Sequence, residues 1–100
     1  MDINKMDADA RKANFLVAKY NTGELYFRQL TPNIAIFLER VKGKYICYRL
    51  KWEHKAAAGI YKIQDDKLYC RGSWERCLNR AKSIVDFWEK KILKIEEEAK

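Results

Sequence analysis

The sequence of 100 residues, 48% of them hydrophobic, is long enough for one domain (1–100) with a buried core. It has no run of about 18 apolar residues, which excludes a transmembrane helix, and no apolar signal-peptide region follows Met1. Its three cysteines, Cys47, Cys70 and Cys77, are an odd number, which favours reduced thiols. We therefore expect a cytoplasmic protein, located in the host cytosol if it is encoded by a phage.

The positive charge is concentrated in the middle of the chain. The net charge is +7, and residues 40–82 hold twelve Lys and Arg against four carboxylates, a net charge of +8. Such a field attracts nucleic acid or an acidic protein surface. A solvated face that only keeps the protein soluble is the plainer explanation.

The N-terminal third predicts an arm followed by a hairpin. Residues 1–12 are polar without a clear period, which predicts a loose N-terminal arm or a short helical turn. Phe15–Tyr20 and Glu24–Leu30 flank Asn21–Gly23, where Asn and Gly tolerate positive φ, and this is typical of a β-hairpin. A helix over 7–20 is the alternative, because apolar residues there also recur at helical spacing.

The middle of the chain favours two further strands. Ile34–Val41 is predicted as a strand because Lys42–Lys44 suits a tight turn. A helix remains open there, with Pro32 as its first residue and Gly43 beyond its end. Tyr45–Trp52 is the clearest strand, with one apolar and one basic set of alternating residues.

The last strands precede the helix. We expect a loop over Glu53–Gly59, because alanine is poor in strands. Gly59–Gln64 and Lys67–Arg71 are then predicted to form a hairpin that turns at Asp65–Asp66.

Residues 73–98 predict one long C-terminal helix. Ser73 suits the N-cap position, and Glu75 places negative charge in the first turn. One stripe at alternating spacings of four and three carries Trp74, Leu78, Ala81, Val85, Trp88, Ile92 and Ile95. The predicted fold is α+β, an antiparallel β-meander of about five to six strands covered on one face by this helix. The predicted core is Leu16, Phe27, Ile46, Tyr48, Leu50, Trp52, Tyr61, Ile63, Leu68, Leu78, Ala81 and Val85.

Motifs for catalysis and metal binding are not found in the sequence. It holds one histidine, His54, and no glycine-rich phosphate loop or nucleophile elbow. Cys47, Cys70 and Cys77 lack metal-ligand spacing, and free cysteine commonly packs as a small buried hydrophobe. We therefore expect no enzyme, no metal and no cofactor.

Basic and aromatic residues interleave on the strands. If Tyr48 and Trp52 point towards the helix, alternation along the strand leaves a second set of basic and aromatic residues facing away from it. Rings that stack on bases and cations that meet phosphates are what single-stranded nucleic acid requires. The predicted nucleic-acid-binding residues are Tyr26, Arg28, Tyr45, Arg49, Lys51, Lys62, Tyr69 and Arg71. The order of four strands and a helix is similar to that of single-strand-binding folds such as the Whirly-like proteins.

A protein-binding module is the alternative. One form is a small phage-type inhibitor that docks on a host nuclease or a CRISPR effector complex. The helix is longer than the strands, so its apolar end should project beyond the sheet and form an interface, most simply of a homodimer. The predicted interface residues are Phe87, Trp88, Ile92 and Ile95. Alternatively, residues 1–15 fold back and cover this end.

Overall fold

The computed structural model describes the backbone of residues 2–55 and 60–98, and the side chains of residues 2–52 and 66–98. The five strands of this part form one antiparallel sheet in sequence order, with a helix at each end of the chain. In chain order the elements are α1 (Ile3–Lys12), β1 (Leu16–Val17), β2 (Leu25–Thr31), β3 (Ile34–Val41), β4 (Lys44–Lys55), β5 (Ile60–Gly72) and α2 (Trp74–Glu98). The predicted α+β meander with a long C-terminal helix is therefore confirmed.

The predicted loose arm is instead a helix that packs on the core. Asp2 caps α1 by accepting a hydrogen bond from the Lys5 N–H at 3.1 Å. Met6 and Ala10, one helical turn apart, are both buried, and their burial stabilises this short helix. The helix ends at Lys12, so the alternative helix over 7–20 is wrong.

The first predicted hairpin forms, with a shorter first strand. β1 pairs antiparallel with β2, Leu16 opposite Phe27. Asn21 and Gly23 in the connection have φ of 62° and 64°. The Tyr45 hydroxyl donates a hydrogen bond to the Gly23 carbonyl, and a Cβ at Gly23 would lie 3.2 Å from that hydroxyl oxygen. Both the positive φ and the closeness of the Tyr45 hydroxyl therefore favour glycine at this position.

Residues 34–41 form strand β3 as predicted, because a two-residue turn leads directly into β4. Lys42 and Gly43 have φ of 51° and 78°, the pair of positive values that a type I′ hairpin turn requires.

The predicted hairpin around Asp65–Asp66 is wrong. β5 runs without a turn over Ile60–Gly72, and Asp65 and Asp66 pair with Lys51 and Leu50 of β4. The twelve residues of β4 offer a continuous ladder, and two register shifts take up the extra residues of β5. Residues 53–55 of the predicted loop belong to β4, and residues 56–59 lie outside the described part.

Helix α2 begins at the predicted cap and buries part of its predicted stripe. The Ser73 Oγ accepts the Arg76 N–H at 3.2 Å, which satisfies one free donor of the first turn. Leu78, Ala81 and Val85 of the stripe are buried against the sheet, together with the neighbouring Cys77 and Ile84.

The helix covers the sheet face opposite to the predicted one. The Trp74 ring packs on Tyr26 and Tyr45, with centroid distances of 4.8 and 5.1 Å, and the Cys77 Sγ donates to the Tyr45 carbonyl at 3.4 Å. Alternation along β4 predicted an apolar face but could not show which face α2 selects. The covered strand residues are Tyr26, Ile34, Ile36, Leu38, Tyr45 and Cys47.

Of the ten predicted core residues whose side chains are described, only three are buried in the core. Leu78, Ala81 and Val85 of the helix are buried. Leu16 and Leu68 are 59% and 61% exposed. The strand residues Phe27, Ile46, Tyr48, Leu50 and Trp52 are partly buried, on the face away from α2. The side chains of Tyr61 and Ile63 lie outside the described residues.

Candidate nucleic-acid interface

Two of the tyrosines predicted to stack on bases are buried. Tyr26 and Tyr45 are 0% and 1% exposed beneath α2. The Tyr26 hydroxyl donates to the Asp7 carboxylate at 2.5 Å. Burial raises the pKa of both tyrosines, with Asp7 adding to the effect. The prediction that these rings are exposed is wrong, because the helix covers the face on which they lie.

The predicted cations are spread over both faces. Arg28 lies on the helix side, where its Nη2 donates to Glu89 at 2.8 Å, so a carboxylate already neutralises it. Lys51 is partly buried, opposite the buried Ile34 of β3. Arg71 is exposed on the other face, opposite Ile46. The side chain of Lys62 lies outside the described residues.

Arg49 and Tyr69 do come together, in a groove between α2 and strands β4 and β5. The Arg49 Nη1 donates to the Tyr69 hydroxyl at 3.3 Å. The groove has a volume of about 470 Å³. We call it the basic groove, and its lining is Arg49, Lys67, Tyr69, Arg80, Ser83, Ile84, Phe87, Trp88 and Lys91.

Two aromatic rings in the basic groove each lie close to two cationic side chains. The Tyr69 ring centre lies 5.4 Å from the Lys67 Nζ and 5.8 Å from the Arg80 Cζ. The Trp88 ring centre lies 5.7 Å from the Arg49 Cζ and 4.9 Å from the Lys91 Nζ. These distances are within the range of cation–π attraction.

The groove is strongly electropositive. Four cationic side chains line it, and none of the described lining residues is a carboxylate. Lys67, Arg80 and Lys91 make no ion pair with any described carboxylate, whereas Lys90 on the outer side of α2 pairs with Asp86 at 3.0 Å. Ring faces attract cations but carry no net charge, so mutual repulsion of the cations remains and an anion in the groove would relieve it.

Sequence reasoning missed Lys67, Arg80 and Lys91 as groove residues and assigned Trp88 only to a protein interface. A signal was present in α2: positions 80, 84, 88 and 91 are four, four and three residues apart, so they share one side of the helix. That Lys67 and Tyr69 face this side depends on the β4–β5 register, which shifts between Cys47 and Tyr48.

The far end of α2 is partly uncovered. Phe87 and Ile95, two predicted interface residues, are 63% and 56% exposed. Trp88 packs partly against the core, and Ile92 is partly buried. The alternative that residues 1–15 cover this end is wrong, because α1 lies beside the beginning of α2, where Asp9 and Trp74 line one depression.

The cysteines belong to the core beside this groove. Cys47 and Cys77 are buried and Cys70 is partly buried, and Cys47 pairs with Cys70 across β4 and β5. Burial, followed by the neighbouring thiols, raises the pKa of Cys47 to about 12 and that of Cys77 to about 11. Both thiols are therefore protonated and unreactive near neutral pH.

The described residues contain neither a metal-ligand cluster nor a helix that could span a membrane. Within them no three His, Cys, Asp or Glu side chains are grouped so as to hold a metal ion. Neither helix in this part of the chain is long and apolar enough to cross a bilayer.

No protein-family model, curated protein or solved structure matches the chain. The geometry of the basic groove and of the exposed surfaces is therefore the basis for assigning a function.

Proposed function

We propose that the protein is a small non-enzymatic binding module that takes single-stranded nucleic acid, free or held in a nucleoprotein complex, in the basic groove. The supporting observation is the convergence of Arg49, Lys67, Arg80 and Lys91 around the rings of Tyr69 and Trp88. The cytosolic location that the cysteine count predicts is part of the same proposal.

Each part of the groove has a role in this proposal. Arg80 and Lys91, at the helix edge, meet phosphates, and their binding releases counterions from the strand. Phe87 lines the groove and is 63% exposed, so its ring is open to a base, and such stacking is worth about 1–3 kcal/mol. The groove would recognise nucleic acid through charge and aromatic stacking, so binding should depend little on the base sequence.

The experiment compares two double variants of α2 with equal loss of charge. Arg80→Ala with Lys91→Ala removes two groove cations, and Lys82→Ala with Lys90→Ala removes two exposed cations outside the groove lining. Binding of a fluorescent single-stranded DNA and a matching RNA is followed by anisotropy over a range of salt. We expect the groove variant to lose at least about tenfold in affinity and its salt slope to fall by about 1.4, which corresponds to two lost phosphate contacts.

Two outcomes would contradict the groove as the site. Equal losses in the two variants would show that only net charge matters. No binding by the wild type at low salt would reject nucleic acid and favour the protein-binding alternative, including an inhibitor that docks on a host nuclease or a CRISPR effector complex.

A protein partner is the second candidate, favoured by the exposed end of α2. Phe87, Leu93 and Ile95 are 63%, 55% and 56% exposed, and exposed apolar patches commonly mark contacts. In the predicted form this end makes a homodimer. Light scattering on the wild type and on Leu93→Glu with Ile95→Glu tests it: a dimer that the variant abolishes supports an interface at α2, and a dimer that it preserves contradicts one.

A further inference from the structure

The sheet face away from α2 carries an apolar row that crosses all five strands. Side chains directly opposite one another in an antiparallel sheet lie on the same face, so the register defines the row. It consists of Leu16, Phe27, Phe37, Tyr48 and Leu68, each opposite the next. We call it the central row. The rings of Phe27, Phe37 and Tyr48 stack along it, with centroid distances of 6.0 and 5.2 Å.

No described element covers this face. The contacts of α2 with the sheet fall on the opposite face, through Trp74 on Tyr26 and Tyr45, and α1 meets the same covered face through Asp7 and Tyr26. Leu16 and Leu68, at the two ends of the central row, are 59% and 61% exposed. A second sheet can pack on an apolar face of this kind, as in a β-sandwich.

Two further rows flank the central row and carry the charges of this face. One consists of Leu25, Glu39, Ile46 and Arg71, each opposite the next. The other consists of Gln29, Ala35, Leu50 and Asp66. Arg71 and Asp66 thus lie on β5 on either side of Leu68, and neither has an ion-pair partner among the described residues.

We propose that this face binds a second copy of the chain, with the two-fold axis along the central row. An axis in that direction exchanges the two flanking rows, so Asp66 of each copy lies opposite Arg71 of the other. It also places Ile46 of one copy against Leu50 of the other. The central row packs against itself, as an isologous interface requires.

Charge favours this arrangement over a two-fold packing with the axis along β3. An axis along β3 would instead place Glu39 of one copy against Glu39 of the other, and like charges in an interface are costly. With the axis along the central row, Glu39 faces the uncharged Ala35 and keeps the hydrogen bond that it accepts from the Tyr48 hydroxyl at 3.3 Å.

The size of the face approaches that of a standard dimer interface. Five strands at about 4.8 Å and eight residues of β3 at about 3.4 Å give a flat face of roughly 20 by 27 Å. Side-chain relief raises the accessible area of such a face towards the about 800 Å² per partner of a standard interface. The basic groove lies on the opposite face, so both grooves of the dimer stay open, and this proposal is independent of nucleic-acid binding.

The first test replaces one ring in the centre of the face. Sedimentation equilibrium of the wild type should show a dimer at about 100 µM or below, with dissociation on dilution. Phe37→Lys should give a monomer. The matched control, Phe87→Lys, introduces the same change on α2 and should leave the dimer intact. Circular dichroism and urea unfolding of each variant show whether it is folded.

The second test exchanges the charges of β5. Asp66→Arg and Arg71→Asp should each weaken the dimer by at least about tenfold through like-charge repulsion. The double variant, which restores the pairing in reverse, should return to within about threefold of the wild type.

Three outcomes would overturn the proposal. One is a wild type that stays monomeric at about 100 µM. Another is a dimer that Phe87→Lys dissociates and a folded Phe37→Lys does not, which would place the interface at α2. The third is a double variant that dimerises as weakly as the two single variants, which would exclude the pairing of Asp66 with Arg71.

Discussion

Leu38→Ala and Leu50→Ala are the sharpest test of which sheet face is the core. Leu38 on β3 is 0% exposed beneath α2, and Leu50 on β4 is partly exposed on the uncovered face. The two substitutions remove the same atoms, worth about 2.4 kcal/mol of transfer free energy at 0.8 kcal/mol per methylene. At Leu38 the cavity left in the core raises the expected loss of unfolding free energy to about 3–5 kcal/mol. At Leu50 the site opens to solvent and no closed cavity forms, so about 1–2 kcal/mol is expected in the monomer.

Urea unfolding followed by tryptophan fluorescence measures both losses. The measurement is made at a protein concentration low enough to keep the chain monomeric, because a dimer on the uncovered face would add a concentration-dependent term at Leu50. A loss at Leu50 that equals or exceeds the loss at Leu38 in the monomer would refute the assignment of the covered face. A loss at Leu50 that grows with concentration, while that at Leu38 does not, would support the sheet-face dimer.

Three further predictions concern the core and its turns. Burial raises the pKa of Cys47 from 9.0 to about 12. The stability that the protonated thiol contributes is therefore complete below pH 9 and falls by about 1.4 kcal/mol per pH unit as the pH rises towards 12. In urea titrations from pH 8 to 11, the unfolding free energy should fall more steeply for the wild type than for Cys47→Ala. Ser73→Ala should cost about 1 kcal/mol in urea unfolding, through loss of the α2 cap. Gly23→Ala should lower the unfolding free energy by at least about 1 kcal/mol, because φ is 64° and Tyr45 lies close; a midpoint equal to that of the wild type would contradict this.

Local chemistry explains what the sequence predicted correctly. The N-cap at Ser73, the stripe that begins at Trp74 and the turn at Lys42–Gly43 are each determined by residues within a few positions of one another. α1 was predicted only as a loose arm or a short helical turn, because its residues are mostly polar. Contacts with distant residues stabilise it, above all the hydrogen bond from Tyr26 to Asp7, nineteen positions apart in the chain. Asp65 and Asp66 were misassigned because a carboxylate pair that is typical of a turn can also pair within a long ladder.

The inverted sheet face explains why the predicted and observed sites differ. Strand β4 has two plausible faces: Ile46, Tyr48 and Leu50 are more apolar, but Tyr45 and Cys47 are also suited to burial. Trp74 of α2 packs on Tyr45 and Tyr26, and no pattern within β4 encodes that choice.

Both candidate surfaces follow from that choice. When the helix covers Tyr45 and Cys47, alternation along β4 places Arg49 at the helix edge, where it meets Trp88 and helps to form the basic groove. The same alternation leaves Tyr48 and Leu50 on the open face, in line with Phe37 of β3. An apolar face of this size that remained in water would promote association. The strand that contributes a cation to the groove therefore also contributes two apolar residues to the proposed dimer interface. Arg80→Ala with Lys91→Ala should remove only the proposed nucleic-acid binding, and Phe37→Lys should remove only the proposed dimer.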